Sequence, residues 1–395
     1  MSDHVLTLNA GSSSIKFALF AVEGDWPRRI AHGLIEEIGG CSRFRAEARG
    51  REQELPVVAP DHASAIRSVF DWVDEAFPEI VVAAIGHRVV HGGLAYSAPA
   101  IVDANMLAEL AALAPLAPLH QPHNLVGVAA AHAAYPSVPQ VACFDTAFHR
   151  GHQFVNDAYA LPRDYYARGL RRFGFHGLSY EFIAHRLRAI DPVLACGRVI
   201  VAHLGAGASL CAMKDGRSVA STMGFSALEG LAMATRCGEI DPGLLLYLLD
   251  HERMTVAELT RLLYERSGLK GLSGISGDMR TLEESDAPEA KDAIAYFTHR
   301  VRMHIGALAA TLGGLDALVF TAGIGEHSAR VRRDVCSGMN WLGLRLDAEA
   351  NARGDARIGD PTATAQVLLL ATDEEAMIAR HTIAVAGVAR QSVAA

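Results

Sequence analysis

The feature that most constrains the fold is a strand–loop–strand pattern that occurs twice, far apart in the chain. Near the N-terminus, Val5–Leu8 and Ile15–Phe20 are short β-type runs on either side of a turn of small polar residues. Near mid-chain, Arg198–Leu204 and Leu210–Met213 flank a loop of Gly, Ala and Ser. Each copy predicts a β-hairpin whose tip can approach a phosphate group. The period is too long for a solenoid and suggests two related domains, although single hairpins of this kind occur in many α/β proteins.

Strands and helices alternate along the rest of the chain. Further β-type runs that end in polar loops lie at 81–88, 140–144, 315–320 and 367–371. Helical patterns lie at 63–77, 180–189, 243–250, 255–267 and 292–312. This alternation predicts an α/β fold, in which ligands bind where strands end. At 395 residues the chain also exceeds the size at which one hydrophobic core stops growing, so two domains are expected.

Composition argues against several classes of protein. The net charge of -8 disfavours a nucleic-acid partner, since such proteins carry a basic excess. The six cysteines have no CxxC spacing, which argues against a zinc site and fits buried thiols in a reducing cytosol. No basic n-region, long apolar h-region or 18-residue apolar run is visible. We therefore expect a cytoplasmic protein with no signal peptide and no membrane span.

Three segments of small residues can bring backbone N–H groups close to a phosphate, at 9–14, 205–209 and 323–326. The chain has no GxxxxGK(S/T) motif, which disfavours a Walker-type NTPase. It also has no complete GxGxxG motif after a strand, which disfavours a Rossmann dehydrogenase and a protein-kinase glycine loop. One such loop is usually an ordinary turn, but three at the ends of strands indicate phosphate chemistry.

Phosphoryl transfer needs cations that offset negative charge in the transition state and oxygen ligands for a metal ion. Lys16, Arg88 and Arg236 are cations beside turn-rich segments. His176 stands in a glycine-rich stretch, where its ring can reach a ligand. The other candidate histidines are His91, His120, His149 and His203, and the candidate acids are Asp145, Asp278, Glu326, Asp373, Glu374 and Glu375.

Six ordered segments resemble motifs of the acetate kinase family. They are NAGSSSIK at 9–16, GHRVVHGG at 86–93, CFDTAFH at 143–149, FGFHG at 173–177, the segment 228–242 that begins with LEG, and GIGE at 323–326. The resemblance implies the fold of sugar kinases, Hsp70 and actin: two related α/β domains of mixed sheet with flanking helices, and an active-site cleft between them. It implies an N-terminal domain of 1–147 with a C-terminal helix at about 376–395, and a nucleotide-binding domain of 148–375. It also implies a homodimer.

The resemblance assigns the chemistry to a few residues. It implies that Asn9 and Glu374 hold Mg²⁺ or Mn²⁺. Arg88 would bind the substrate carboxylate and Asp145 would be the essential acid. The implied reaction is the reversible, direct in-line transfer of the γ-phosphoryl group of ATP to acetate. Because carboxyl pKa values lie at about 4–5, acetate is already ionised. We infer that Asp145 positions a metal ion or an arginine and is not a general base.

Further residues are assigned by the same motifs. His176 and Arg236 would stabilise the transition state. The pocket for the alkyl group would be lined by Val90, Leu119, Phe175 and Ala227. The residues that would contact ATP are Ser12, Ser14, Lys16, His203, Leu204, Gly205, Ala206, Gly207, Asp278, Met279, Arg280, Gly323, Ile324, Gly325, Glu326 and His327.

The chain departs from the family at several of these positions. Ala206, Gln121 and His327 stand where the family usually has Asn, and Ala322 where it usually has Gly. Ala227 stands where the family usually has Pro. A smaller residue there opens the alkyl pocket by a methylene or two, and one methylene is worth about 1–3 kcal/mol. We therefore expect better use of propionate than in a typical acetate kinase.

Other readings stay open at this point. The protein could be a kinase for propionate or another short-chain acyl group, which only a substrate comparison distinguishes. It could be a non-catalytic, Hsp70-like nucleotide-binding module, which would not require Arg88, His176 and Arg236. A sugar kinase would need a polar pocket for hydroxyl groups, whereas the implied pocket is apolar.

Overall fold

The chain folds into two compact units, which the computed structural model describes for residues 3–11, 13–24, 26–118 and 120–389. The divisions lie between Phe148 and His149 and between Thr372 and Asp373. The first unit therefore contains two separate stretches of chain, and the second unit is continuous. Within the described ranges, no helix is long and apolar enough to span a lipid bilayer.

The first unit is built on a mixed sheet. Its strands are β1 (Asp3–Ala10), β2 (Ile15–Ala21), β3 (Arg28–Glu36), β4 (Arg43–Ala48), β5 (Arg51–Pro56), β6 (Val81–Val89), β7 (Ala100–Ile101) and β8 (Gln140–Phe144). In the described part of the unit their order is β5–β4–β3–β2–β1–β6–β8–β7. β1 is antiparallel to β2 but parallel to β6, and β6 is parallel to β8. The carboxyl ends of β1, β6 and β8 therefore meet at one edge of the sheet.

Helices from both stretches of chain in the first unit cover this sheet. They are α1 (His62–Ala76), α2 (Ala104–Ala112), α3 (Gln121–Ala134) and, in the C-terminal stretch, the helix Glu374–Ala386, which is α16 in chain order. The rings of Phe17, Phe44 and Trp72 pack edge to face with centroids 5.5–6.0 Å apart, which joins β2 and β4 to α1. A Cβ atom at Gly86 would lie 2.2 Å from the Thr382 hydroxyl. Gly86 thus lets α16 pack directly on β6.

The second unit repeats the central pattern of the first. Its strands are β9 (Arg198–Leu204), β10 (Ala208–Lys214), β11 (Arg217–Ser221), β12 (Ala317–Thr321) and β13 (Gln366–Leu369), in the order β11–β10–β9–β12–β13 among the described residues. β9 is antiparallel to β10 and parallel to β12, as β1 is to β2 and β6. The order β3–β2–β1–β6–β8 in the first unit is the same arrangement. The expectation of two related α/β domains with mixed sheets is confirmed.

Helices make up most of the remaining second unit. They are α4 (Phe154–Asp157), α5 (Arg163–Ala167), α6 (Gly177–Ile190), α7 (Pro192–Ala195), α8 (Pro242–Asp250), α9 (Val256–Glu265), α10 (Gly268–Ser273), α11 (Met279–Glu283), α12 (Pro288–Leu312), α13 (Ala322–His327), α14 (Ala329–Cys336) and α15 (Ala348–Arg353). Short 3₁₀ helices lie at Ala114–Leu116, Ala147–His149 and Asn340–Leu342. The ends of all five predicted helical patterns and of the predicted strands lie within four residues of the ends of observed elements.

Two expectations need correction. Cys143, Cys211 and Cys336 are buried, but Cys41 and Cys196 are exposed, so burial does not describe all the thiols. The segment at 323–326 is not a loop, because it lies inside α13. The Glu326 carboxylate accepts a hydrogen bond from the Ala322 N–H at 2.8 Å, which caps this short helix from its own last turn.

Candidate active site

Arg88 and Asp145 meet at the carboxyl edge of the first unit's sheet. Arg88 is the penultimate residue of β6, and Asp145 directly follows the neighbouring parallel strand β8. Nε and Nη2 of Arg88 donate to the two carboxylate oxygens of Asp145, at 3.1 Å and 2.6 Å. Asp145 is 1% exposed, and its own N–H donates to the Val89 carbonyl at 3.1 Å. The pair therefore fixes the plane of the guanidinium group.

Asn9 and Glu374 contact the same guanidinium group. Nη1 of Arg88 donates to Oδ1 of Asn9 at 3.2 Å, and Oε2 of Glu374 lies 3.8 Å from Nε. Burial alone would lower the pKa of Arg88, but the carboxylates of Asp145 and Glu374 outweigh it and hold that pKa well above its ordinary value. Burial, with the Asp145 carboxylate nearby, raises the pKa of Glu374 to about 7 against the opposing charge of Arg88. The carboxylates of Asp145 and Glu374 thus share one guanidinium group.

The start of α16 places Glu374. Asp373 is the N-cap residue of this helix, and its Oδ1 accepts from the Ala376 N–H at 2.9 Å. Its other carboxylate oxygen lies 2.9 Å from Nη2 of Arg29 on β3. Glu374 is therefore the first residue of α16, and the ion pair between Asp373 and Arg29 of β3 holds the start of this helix on the sheet.

These oxygen atoms suit a hard divalent cation. Mg²⁺ is usually held by one or two carboxylates together with water and substrate phosphate oxygens. Asn9 supplies an amide oxygen and Glu374 a half-buried carboxylate with an elevated pKa, which a cation would favour in its ionised form. Among the described residues, no group of three or more His, Cys, Asp and Glu side chains is arranged to hold a metal ion. The residues present nevertheless fit a metal that is shared with a phosphate ligand.

The β1–β2 hairpin carries the predicted nucleotide contacts of the first unit. Its turn is closed by a hydrogen bond from the Gly11 N–H to the Ser14 carbonyl at 2.8 Å. Lys16 is exposed and pairs across the hairpin with Asn9. Its positive charge acts on the pKa of Glu374, lowering it, which places the ammonium group near that carboxylate. Ser12, the other contact predicted here, lies outside the described residues.

Two buried amides brace the segment that follows Arg88. Asn124 accepts from the Val90 N–H at 3.0 Å and donates to the Ala10 carbonyl at 2.6 Å. Gln121 accepts from the His91 N–H at 3.2 Å and donates to the His91 carbonyl at 3.0 Å. Val90 itself is 4% exposed, and Leu119 lies outside the described residues. Sequence reasoning missed the bracing role of Asn124 and noted Gln121 only as a departure from the family.

His176 occupies a constrained position in the second unit. Its φ angle is +58°, in the left-handed region, and it is the N-cap residue of α6. Nδ1 lies 2.9 Å from the Ser209 hydroxyl, and the imidazole stacks on His203 with ring centroids 4.2 Å apart. His203 in turn lies 2.8 Å from the Ser179 hydroxyl. The ring of His176 is therefore held on two sides by residues of β9, β10 and α6.

Gly207 brings His176 and Arg236 together. A Cβ atom at Gly207 would lie 3.2 Å from Nε2 of His176 and 3.7 Å from Nη2 of Arg236. The other terminal nitrogen of Arg236 donates to the Ala227 carbonyl at 2.9 Å. An imidazole and a guanidinium thus converge on one hairpin tip, where only a backbone without a side chain fits. Fixed donors that converge on one point can stabilise negative charge there.

The predicted nucleotide loops of the second unit lie side by side. A Cβ atom at Gly205 would lie 3.9 Å from the Gly323 N–H nitrogen. The Ala206 carbonyl accepts from the Ala234 N–H at 3.1 Å, and Gly277 packs against the Ala234 carbonyl. The hairpin tip, the start of α13 and the segment before α11 therefore form one surface. N–H groups in the first turns of α11 and α13 already donate to the carboxylates of Asp278 and Glu326.

Several of the residues predicted to contact ATP are buried or hydrogen-bonded within the protein. The Asp278 carboxylate caps α11 by accepting from the Thr281 N–H at 2.9 Å, Met279 is 4% exposed, and Leu204 is fully buried. Arg280, Gly323 and His327 are exposed, and Ile324 is half-buried. Sequence reasoning missed Arg332, a buried arginine that donates to the Gly325 and Glu326 carbonyls at 2.9 Å and 2.8 Å and so braces α13.

The two remaining residues of the predicted alkyl pocket flank this site. Phe175 directly precedes His176 and is 1% exposed. Ala227 is half-buried and supplies the carbonyl that holds Arg236. The residue that stands in place of the usual proline is therefore also the backbone anchor of a candidate catalytic arginine.

Comparison with known proteins gives a consistent result across the chain. The model of the family described as the acetokinase family matches residues 4–380. An acetate kinase from Methylocella silvestris is 54% identical, and the match covers 97% of this chain and 98% of the relative. The crystal structure of a propionate kinase from Francisella tularensis has a TM-score of 0.90 at 35% identity, covering 97% of this chain and 99% of the other.

A further solved structure, the acetate kinase of Porphyromonas gingivalis, has a TM-score of 0.87 at 34% identity and covers 97% of this chain and 99% of its own. These matches extend over both units and include every segment named above. The chain belongs to the acetokinase family.

Proposed function

We propose that the protein is an acetate kinase, which transfers the γ-phosphoryl group of ATP to acetate and gives acetyl phosphate and ADP, reversibly. The observation that carries the proposal is the half-buried guanidinium of Arg88 near the end of β6, which Asp145 and Asn9 hold two residues before the buried side chain of Val90. A cation beside an apolar side chain suits a short carboxylate. Membership of the acetokinase family supports the same reaction.

Arg88 would bind the carboxylate while Asp145 keeps it in place. Each terminal nitrogen of a guanidinium carries two N–H groups. The bonds to Asp145 and Asn9 therefore leave N–H groups on Nη1 and Nη2 that can donate to a substrate. An acetate oxygen then attacks the γ-phosphorus, the bond from phosphorus to the β–γ bridging oxygen breaks, and ADP leaves with that electron pair. No proton needs to be removed, because acetate is ionised.

His176 and Arg236 would offset the negative charge of the transferring group. Both point at Gly207, at the tip of the β9–β10 hairpin, and donors fixed in advance are the usual source of such stabilisation. Asn9 and Glu374 would hold Mg²⁺, which neutralises charge on the phosphates when bound. The segments around Gly205, Gly323 and Asp278 would contact ATP, so nucleotide binding is proposed for the second unit. A single in-line transfer predicts inversion at a chiral γ-phosphorus, and retention would contradict it.

The protein would act as a homodimer in the cytoplasm. Leu244, Leu246 and Tyr247 of α8 are 45%, 67% and 49% exposed, and no residue of this nine-residue helix is buried. An apolar helix left uncovered supports pairing with a second copy of the chain. Light scattering should give twice the chain mass of 42.1 kDa, and Leu246→Glu should lower it. A wild-type mass of one chain would contradict the dimer.

Propionate is the second candidate substrate, favoured by Ala227 in place of the usual proline. Trapping with hydroxylamine tests both substrates, because acyl phosphates form coloured hydroxamates. ATP with acetate or propionate should give product, and butyrate should give less. Glucose, scored by ADP release, serves as a control for sugar kinase activity. Nucleotide binding without hydroxamate from any carboxylate would instead favour a non-catalytic module.

A further inference from the structure

We propose that His149 is a positioning residue for His176: it holds the peptide that precedes His176, so that the imidazole faces Gly207. The inference rests on the proposed function, in which His176 stabilises the transferring phosphoryl group. The effect of His149 would pass through its hydrogen bond to the Phe175 carbonyl.

The contacts of His149 join it to the FGFHG segment. Nε2 lies 3.0 Å from the Phe175 carbonyl oxygen, and Nδ1 lies 2.7 Å from the Ser218 hydroxyl on β11. A Cβ atom at Gly174 would lie 2.6 Å from the His149 ring, and φ of Gly174 is +75°. The glycine therefore lets the segment pass directly over the imidazole. Nε2 of His149 therefore supports Phe175, a residue of the predicted alkyl pocket, and through the Phe175 carbonyl it also supports His176, the next residue.

The partners fix the direction of these hydrogen bonds. The Phe175 carbonyl can only accept, so Nε2 of His149 carries the proton and Nδ1 accepts from Ser218. Burial lowers the pKa of His149 well below its ordinary value, which agrees with a neutral ring. Ser218 also lies 2.7 Å from Nε2 of His152. His152, Ser218 and His149 thus form an ordered chain that ends on the Phe175 carbonyl.

The position of His176 explains why such support matters. A residue other than glycine with φ of +58° persists only where its surroundings hold it. Ser209 holds the ring of His176, and His149 holds the carbonyl one peptide earlier. If the latter bond is lost, the backbone can relax and displace the imidazole. A displacement of about 1 Å in an active site can lower turnover about a hundredfold.

A double-mutant cycle distinguishes positioning from independent action. His149→Leu should lower kcat about 10–100-fold with little change in the KM for ATP, and His149→Gln, whose amide can still donate, should recover part of it. In a His176→Ala background, His149→Leu should have less than about a twofold effect. Ser218→Ala carries the same expectation at smaller size if His149→Leu does not fold. An undiminished effect in the His176→Ala background would overturn the inference.

A measurement that needs no turnover separates this inference from the proposed function. The Cε1–H NMR signal of His176, assigned by its loss in His176→Ala, should move in His149→Gln and Ser218→Ala. Ser221→Ala is the matched control, because Ser221 is buried on the same strand and the described residues offer its hydroxyl no hydrogen-bond partner. A His176 signal that stays in place in both test variants would overturn the positioning role, whether or not the wild type makes acyl phosphate.

Discussion

Nη2 of Arg88 lies 2.6 Å from Oδ2 of Asp145, at the ends of two neighbouring parallel strands. Arg88 also donates from Nε to the same carboxylate, so the contact is bidentate and leaves little freedom for the guanidinium. The carboxylate is buried, and its evident task in the first unit is to orient and balance a cation.

Asp145→Asn should reduce kcat/KM for acetate at least about a hundredfold, because the guanidinium loses its charged, bidentate partner. Between about pH 6 and 9 the acidic limb of the pH–rate profile should move to lower pH but persist, because the Asp145 carboxylate helps to raise the pKa of Glu374 and acetate has no proton to give. Steady-state kinetics of both proteins across this range provide the check. Loss of an acidic limb in the variant alone would show that Asp145 acts as a base.

Arg88→Lys should mainly raise the KM for acetate, by about tenfold or more, while the KM for ATP changes little. Lysine keeps the charge but cannot donate to Asp145, Asn9 and a carboxylate in one plane. Arg67→Lys, an exposed arginine on α1, is the control and should behave as wild type. An unchanged KM for acetate in Arg88→Lys would remove Arg88 from substrate binding.

Ala227→Pro should shift preference from propionate towards acetate. Proline is larger than alanine and keeps the carbonyl that holds Arg236, so the predicted alkyl pocket should narrow while turnover with acetate persists. We expect the ratio of kcat/KM for propionate over acetate to fall about tenfold, as for one methylene of pocket volume. An equal ratio in the two proteins would show that this position does not set chain length.

The buried imidazole of His87 should lower the free energy of unfolding in mild acid. Burial lowers the pKa of His87 to about 4, although its partner Gln140 opposes the shift. Below its ordinary pKa of 6.5 the unfolded chain binds a proton that the folded chain excludes, so the free energy of unfolding falls as pH drops towards 4. Between pH 7 and pH 5, urea unfolding should show about 2 kcal/mol less loss for His87→Gln than for the wild type. His132→Gln, on the exposed side of α3, should lose as much as the wild type, and equal losses in all three would contradict the assignment.

Local patterns were sufficient to predict much of the fold. The strands 198–204 and 140–144 have the predicted bounds, because their apolar runs are fully buried between polar turns. The meander β3–β5 was not predicted, since β5 is exposed along nearly its whole length and shows no alternation of apolar and polar residues. α13 was not predicted as a helix, because the carboxylate that caps its start comes from Glu326 in its own last turn. The same carboxylate also accepts from the N–H of Thr372, 46 positions further on.

Residues of the candidate site could be predicted where a chemically suitable side chain stands at the end of a predicted strand. Arg88 lies at the end of one apolar strand and Asp145 directly after another, and an α/β fold gathers polar residues where strands end. The braces were not predictable, because Asn124 reaches Ala10 across 114 positions and His149 reaches Ser218 across 69. The departure at Ala322 was visible, but its meaning was not: φ is +64° there, a conformation that glycine adopts without strain.

The most direct test of the proposed chemistry is the turnover of Arg236→Ala with saturating ATP and acetate. If the guanidinium beside Gly207 stabilises the transferring phosphoryl group, kcat should fall at least about a hundredfold. Arg261→Ala, at an exposed position on α9, should keep wild-type turnover. Turnover of Arg236→Ala within about twofold of the wild type would contradict the account.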